Sequence, residues 1–379
     1  MKVRFEKAKM LEKLVRSMGA VSQKNTHPFT EGVLIETSED GIKMSTYDME
    51  KSVRSFVEAE VVIAGGCVIN AQRLLSIIRI LPENTITMTV DENLLVTIQS
   101  GRSSFSLHAL SAKDFPQMPV IASRESFTME QCALKKMILK TAHSIAQIDQ
   151  RPVLCGAFFK LEKDNIRIVS CDSYKLSIGN LSTPIVSVDM LERTSFIVPG
   201  KTVTELVKML SDEEGVFITI MVTNKNIIFN MENLVFSSRL VEGEYIDYDR
   251  LIPKEQPIIC DVDTKAFLDA LERASLISEE KIAGATKNYV KLIIEGNSLQ
   301  VTSKSANGNI FEEVECDHTG DDISIGFNCR FLIDTMRSIA TEKVRIGLSS
   351  SFASVTFEPF GEAANDNYLY MVLPLKIKE

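Results

Sequence analysis

The feature that most constrains this chain is a repeat: the same order of signals recurs every 125 to 130 residues across 379 residues. A repeated unit folds the same way each time, so one local reading must serve three times. Each unit opens with an amphipathic helix. Its apolar positions are Met10, Leu11, Leu14, Val15 and Met18 in the first copy, and Leu134, Met137, Ile138, Thr141, Ala142 and Ile145 in the second. The third carries Phe267, Leu268, Leu271, Ala274 and Ser275 at a similar spacing. Two alternating runs split by a polar turn follow: Gly32–Ile35 with Gly41–Ser45, Ala157–Leu161 with Ile166–Ser170, and Val290–Ile294 with Leu299–Ser303. Period-two alternation around Gly, Asn or Asp is a hairpin signal.

A second helix is predicted over Asn70–Leu81, Gly200–Leu210 and Asn328–Ala340, the starts lying 130 and 128 residues apart. An apolar strand is expected before each, at Val61–Ile63, Ser195–Val198 and Ile323–Phe327, and a further strand pair after each. Strands dominate and two helices per unit cover one side of the sheets, so the class is α+β. The best boundaries fall near Ala122–Arg124 and within Pro253–Pro257, giving domains 1–122, 123–254 and 255–379.

Composition excludes several classes. No apolar run reaches the ~18–20 residues of a membrane span, and the N-terminal Met1–Glu6 leads into a charged helix rather than a signal-peptide core. Export and membrane insertion are not expected, which places the chain in the cytoplasm. Seven cysteines form no CxxC and read as buried reduced thiols, and four histidines form no HxxxH pair, so neither a metal nor another cofactor is expected.

Net charge is −9, which by itself argues against nucleic acid. Its distribution reverses the argument. The six helical windows (7–18, 70–81, 129–143, 200–210, 264–277 and 328–340) hold 15 Lys and Arg against 6 Asp and Glu, leaving −18 for the rest. A charge run on one helix is ordinarily a solvated face. Six non-acidic helices in an acidic chain, packed side by side, would form one positive surface for phosphates. No aromatic residues alternate with the cations, so a duplex backbone suits the pattern better than stacked single-strand bases.

Other motifs carry less. Gly200-Lys201-Thr202 lacks the glycine that a phosphate-binding loop needs five residues earlier, where Ser195 stands. Asp48 and Asp172 occupy equivalent repeat positions; paired catalytic carboxylates are one reading, a turn-stabilising role the better one. A hydrolase using Asp48 or Asp172 and a repeat scaffold that binds peptides without touching DNA are the rival functions.

Leu81-Pro82-Glu83, Ser100–Leu107, Asp114-Phe115-Pro116, Ile197-Val198-Pro199, Leu240–Gly243 with Asp247-Tyr248, Gly326-Phe327-Asn328 and Tyr370–Leu375 occur in an order and spacing that resembles the bacterial sliding clamps, the β subunit of the replicative polymerase. The resemblance covers the whole chain. It implies a non-catalytic processivity factor: three like domains per chain, a head-to-tail homodimer closing a six-domain ring, helices lining the hole around double-stranded DNA, and no sequence specificity. Implied partners are the replicative polymerase, the clamp loader and other proteins carrying a clamp-binding peptide, with no membrane contact.

By the same resemblance a partner-peptide pocket uses Leu154, Cys171, Ser173, Tyr174, Lys175, Leu176, Ile246, Arg250 and Leu251, with Asn328, Phe331, Ser354, Met371, Leu373, Pro374, Leu375 and Lys376. Ser173-Tyr174-Lys175 stands where relatives often have Gly-His-Arg, and Ile246 where they have Pro, so peptide preference is expected to differ in detail. The tail Ile377–Glu379 is expected to shade the pocket in part. The DNA-facing set is Lys24, Arg73, Lys136, Lys140, Lys201, Lys208 and Arg337. Ile148 and Pro152 leave no polar DNA contact expected at the domain-two rim. The dimer seam is Arg73, Ile77, Phe105 and Leu107 against Leu276 and Ile277.

Overall fold

The computed structural model describes residues 1–22, 27–118, 126–162, 165–181, 187–189, 195–282, 285–305, 308–361 and 367–376. Lys24, the boundary expected near 122–124 and the tail 377–379 lie outside them.

One pattern of eight strands and two helices appears three times. The first copy holds β1 (Lys2–Glu6), α1 (Lys7–Ser17), β2 (Gly32–Ser38), β3 (Gly41–Tyr47), β4 (Lys51–Ile63), β5 (Gly66–Asn70), α2 (Ala71–Ile80), β6 (Thr85–Val90), β7 (Leu95–Ser100) and β8 (Ser103–His108). The second holds β9 (Ser126–Glu130), α3 (Gln131–Thr141), β10 (Gly156–Glu162), β11 (Asn165–Cys171), β12 (Lys175–Leu181), β13 (Ser195–Pro199), α4 (Gly200–Met209), β14 (Phe217–Val222), β15 (Asn226–Met231) and β16 (Leu234–Arg239). The third holds β17 (Ile258–Asp263), α5 (Thr264–Ser278), β18 (Ala285–Glu295), β19 (Ser298–Ser305), β20 (Gly308–Thr319), β21 (Ile323–Asn328), α6 (Cys329–Ser338), β22 (Lys343–Leu348), β23 (Val355–Phe360) and β24 (Asn367–Val372). Short strands at Leu110–Ser111, Ser187–Asp189 and Glu279–Ile282 complete the sheets.

The helices form where the periodicity places them. Met10 and Leu14 bury one stripe of α1, and Phe267, Ala270, Leu271 and Ala274 one stripe of α5. Asn70 and Asn328 cap α2 and α6, each side-chain oxygen accepting a backbone N–H, from Arg73 and Arg330 respectively, at 3.0 Å. One strand expectation is corrected. Val61–Ile63 is the outer end of the long β4, paired to β1, with Val62 and Ile63 about half exposed. The strand that feeds α2 is instead β5, after a break at Ala64-Gly65.

Two compact units result. The first comprises Met1–Cys132, Ile185–Arg193 and Thr204–Leu240; the second comprises Ala133–Pro184, Thr194–Val203 and Val241–Glu379. In the first unit one antiparallel sheet joins repeats, because β16 pairs with β4 from Leu234↔Ser55 to Ser238↔Lys51. In the second, β24 pairs with β12 from Lys175↔Val372 to Asn180↔Asn367. The rule is the same both times: the eighth strand of one repeat adds to the fourth strand of the repeat before it. The first unit's core is built on Val3, Met10, Ile35, Leu74, Ile86 and Ile98. The second's is built on Phe267, Leu292, Phe327, Leu332, Phe357 and Tyr370.

Candidate partner-peptide cleft

In the second unit the chain crosses from β11 to β12 through Asp172-Ser173-Tyr174. The Asp172 carboxylate Oδ1 accepts the backbone N–H of Tyr174 at 3.0 Å and of Lys175 at 2.7 Å, which closes the turn. Ser173 takes a positive φ of 75°, and the turn leaves Tyr174 more than half exposed. The Leu373 N–H donates to Tyr174 O at 2.9 Å, laying the end of β24 beside this turn.

A cleft of about 230 Å³ opens there, lined by Arg151, Leu154, Cys171, Ser173, Tyr174, Lys175, Ile246, Leu251, Ser354, Met371 and Leu373. Its floor is apolar and fixed, since Leu154, Cys171 and Met371 are buried against Val169, Leu176 and Ile178. Leu251 and Leu373 stand up at the edge. Burial pushes the Cys171 thiol up from its ordinary pKa, so it acts as apolar floor rather than as a nucleophile.

The polar groups are tied to one another. Lys175 Nζ donates to His143 O at 2.8 Å, lies 3.7 Å from both the Asp172 and Asp334 carboxylates, and sits 4.9 Å over the Phe331 ring. Its stem borders the cleft while its charge is held inside the protein. Arg151 Nη2 donates to Ser173 Oγ at 2.5 Å, and Arg151 Nε to Asp149 Oδ1 at 3.1 Å. The guanidinium holds the Asp149 carboxyl below the usual carboxylate range. An apolar floor with a few fixed polar groups at the rim suits the side chains of a short linear peptide.

Of the pocket residues expected from the sequence, seven lie off the lining. Leu176 faces the core, and Asn328 is spent as the cap of α6. Phe331 backs Tyr174, ring centroids 5.9 Å apart. Arg250 is exposed and paired to Asp247 at 2.8 Å. Leu375, beyond the half-buried Pro374, is bridged to Gly326, and Lys376 is exposed. Arg151 lines the cleft and was not expected; its place depends on the bonds to Asp149 and Ser173, which leave no periodic trace.

Models of the DNA polymerase III beta subunit match the chain in succession: the N-terminal domain over residues 1–119, the central domain over 128–247 and the C-terminal domain over 249–376. The chain belongs to this family, the bacterial sliding clamps. It is 30% identical over 376 residues to the beta sliding clamp of Pseudomonas putida, covering 98% of this chain and 99% of that one. It is 29% identical to that of Bacillus subtilis, covering 93% and 94%. A crystal structure described as a putative DNA polymerase III beta subunit from Eubacterium rectale superposes with a TM-score of 0.90 at 28% identity over the whole of both chains. The fold is thus three clamp domains, each with two helices on antiparallel sheets, and the family is a non-catalytic processivity factor.

The rest of the clamp fits that membership. Asp48 and Asp172 are turn residues: Asp48 Oδ1 accepts the Glu50 N–H at 3.0 Å and the Lys51 N–H at 2.6 Å, as Asp172 does in its own turn. Gly200-Lys201-Thr202 opens α4 with Thr202 buried. All seven cysteines are free thiols. Among the described residues no helix is long and apolar enough to cross a membrane.

The seam candidates sit on α2 and β8 of the first repeat and near the end of α5 in the third. Phe105 and Leu107 are half-buried on β8, and Ile77 is half-buried on α2 beside the exposed Arg73. Near the end of α5, Leu276 is 80% exposed and Ile277 half-buried. Phe311 on β20, 58% exposed, was not expected. The adjacent pair Ile310-Phe311 in an alternating strand was the available signal, because one of the two must face outward.

Among the DNA-facing candidates Arg73, Lys136 and Lys201 are exposed. Lys140 Nζ lies 4.3 Å over the Tyr368 ring. Lys208 is paired to Glu205 at 2.7 Å and Arg337 to Glu272 at 2.8 Å.

Proposed function

We propose that two copies of this DNA sliding clamp close head to tail into a ring around duplex DNA, β8 of each adding to β20 of the other. The observation that carries this is the strand rule. Eighth strands add to fourth strands at β16–β4 and β24–β12, which leaves β8 and β20 as the eighth and fourth strands still without that partner among the described residues. Open edges beside exposed Leu276 and Phe311 favour pairing with another chain. A head-to-tail contact between unlike edges either closes a ring or grows a filament; three domains per chain at about 60° each close with two chains. The domains of this reading are 1–122, 123–254 and 255–379, and the ring works in the cytoplasm.

The cleft then serves as the tether for the replicative polymerase, the clamp loader and other DNA enzymes through a short apolar peptide. Encirclement is needed because non-specific phosphate contacts bind at only about 10⁻⁴–10⁻⁶ M at physiological salt. Such contacts permit sliding and would release a polymerase unless escape were blocked mechanically. The test is retention after loading by the clamp loader and ATP. The clamp should stay on nicked circular DNA and leave within minutes once the circle is linearised. Equal loss from both substrates would sink the ring.

A further inference from the structure

Two kinds of cation can be told apart on the six helices. On α1, Lys9 is paired to Glu58 at 2.6 Å, and Lys13 and Arg16 both to Glu12 at 3.3 Å. On α5, Lys265 is paired to Asp269 at 2.7 Å and Arg273 to Glu312 at 2.6 Å. On α6, Arg330 lies 3.6 Å from Asp334 and Arg337 2.8 Å from Glu272. The third repeat's four helix cations thus face four carboxylates. In contrast, Arg79 on α2, Lys136 on α3 and Lys201 on α4 are exposed and have no carboxylate within 4.0 Å among the described residues. Arg73 shares that state but belongs by resemblance to the seam as well.

We infer that the duplex is gripped by this unpaired subset and passes the third repeat's helices without being held there. Affinity for a phosphate backbone comes from releasing the counterions that a cation replaces. A Lys or Arg already neutralised by a neighbouring carboxylate has no net charge to offer. Exposed ion pairs are individually weak, so a phosphate could compete for Arg337, yet the Glu272 carboxylate left behind would then repel it. The helix cations read from charge counts are therefore unequal: the exposed ones without a carboxylate lie on α2, α3 and the start of α4, α1 keeps one charge in excess because Lys13 and Arg16 share Glu12, and the third repeat's are matched one to one.

This rests on the clamp reading, and the experiment separates the two. Binding of the full-length protein to a short fluorescent duplex is followed by anisotropy through a salt series, with native mass and melting temperature checked for every variant. The triple variant Arg79→Gln/Lys136→Gln/Lys201→Gln should weaken binding at 0.1 M salt about tenfold or more and flatten the salt slope by about 2–3 per protomer. Arg273→Gln/Arg337→Gln should stay within about twofold of the parent. Glu272→Gln should free Arg337, tighten binding several-fold and steepen the slope by about 1. Glu92→Gln, the same charge change on an exposed turn, should do neither. An Arg337→Gln loss equal to that of Lys136→Gln, or a Glu92→Gln gain equal to that of Glu272→Gln, overturns the inference while the parent still binds. A parent with no salt-dependent binding overturns the clamp reading itself.

Discussion

The turns Asp48–Lys51 and Asp172–Lys175 are the same device placed 124 residues apart, and only one of them borders a usable cleft. In both, an aspartate accepts two backbone N–H groups. In both, the next residue has positive φ, 77° at Met49 and 75° at Ser173. Lys51 Nζ donates to Gly19 O at 3.0 Å and Lys175 Nζ to His143 O at 2.8 Å, and Gly19 and His143 are themselves 124 apart. Even the contact to the following repeat is repeated: Arg239 N–H donates to Glu50 O at 3.1 Å, Leu373 N–H to Tyr174 O at 2.9 Å.

The side chains differ. The first turn meets Ser237, Ser238 and Arg239 of β16 around a polar recess of about 10 Å³. The second meets Met371 and Leu373 at the end of β24, above Leu154, around about 230 Å³. Duplicating the backbone did not duplicate the site; the residues added by the next repeat's last strand decide whether a peptide has anywhere to go.

That account breaks if the first junction's chemistry is tolerated at the second. Tyr174→Glu/Leu373→Arg copies the Glu50 and Arg239 pair into the cleft. It should lower affinity for a polymerase-derived peptide by about 2–4 kcal/mol, roughly 30-fold or more, because two apolar anchors are lost at once. Titration by anisotropy reads the loss and a solution mass measurement should show the same assembly as the parent. Binding within threefold of the parent would mean that the peptide sits elsewhere.

The sequence made the repeat legible because helix and strand periods survive divergence. Five of the six helices fall inside the windows read from the sequence, and α5 runs one residue past its own, to Ser278. Val61–Ile63 misled because a β-branched run resembles a buried strand, and only its pairing with β1 shows it to be the exposed end of a long one. The cleft was legible through family resemblance alone. Leu176 shares a sheet face with its register partners Cys171 and Met371, but its side chain is wholly buried in the core and does not reach the lining, a difference of depth that sequence position does not record. Charge counts found basic helices but not which cations are neutralised, since Glu58 and Glu312 reach Lys9 and Arg273 from strands distant in the chain.

Acid should distinguish the two junctions next. Where the first repeat has Gly19, the second has His143, a partly buried ring with Nδ1 3.1 Å from Ser338 Oγ, Nε2 3.3 Å from Ser177 Oγ and a tilted contact to Tyr370. Burial, aided by Lys175, pulls its pKa down to about 3. The unfolded chain then binds the extra proton between pH 6.5 and 3 while the folded chain does not, so stability is complete above pH 6.5 and falls below it. At 1.36 kcal/mol per unit the loss is about 2 kcal/mol by pH 5. Urea unfolding at pH 7 and pH 5 should show it, and His143→Asn should remove most of the difference; an unchanged pH dependence in that variant would place the acid lability elsewhere.

The smallest effect concerns the strained turn residues, and here the two copies should part company. A non-glycine residue in the left-handed region costs about 1–2 kcal/mol, part of which glycine returns to the unfolded chain as entropy. Met49 is about half exposed and makes no side-chain hydrogen bond, so Met49→Gly should stabilise by about 0.5 kcal/mol. Ser173 has the same backbone angle, but its hydroxyl receives the 2.5 Å bond from Arg151. Ser173→Gly relieves equal strain and releases Arg151 from the cleft rim, so its net effect on stability should be near zero. Paired urea titrations read both. Equal stabilisation at the two sites would show that the Arg151 bond contributes nothing, and the rim of the cleft would then be set by Asp149 alone.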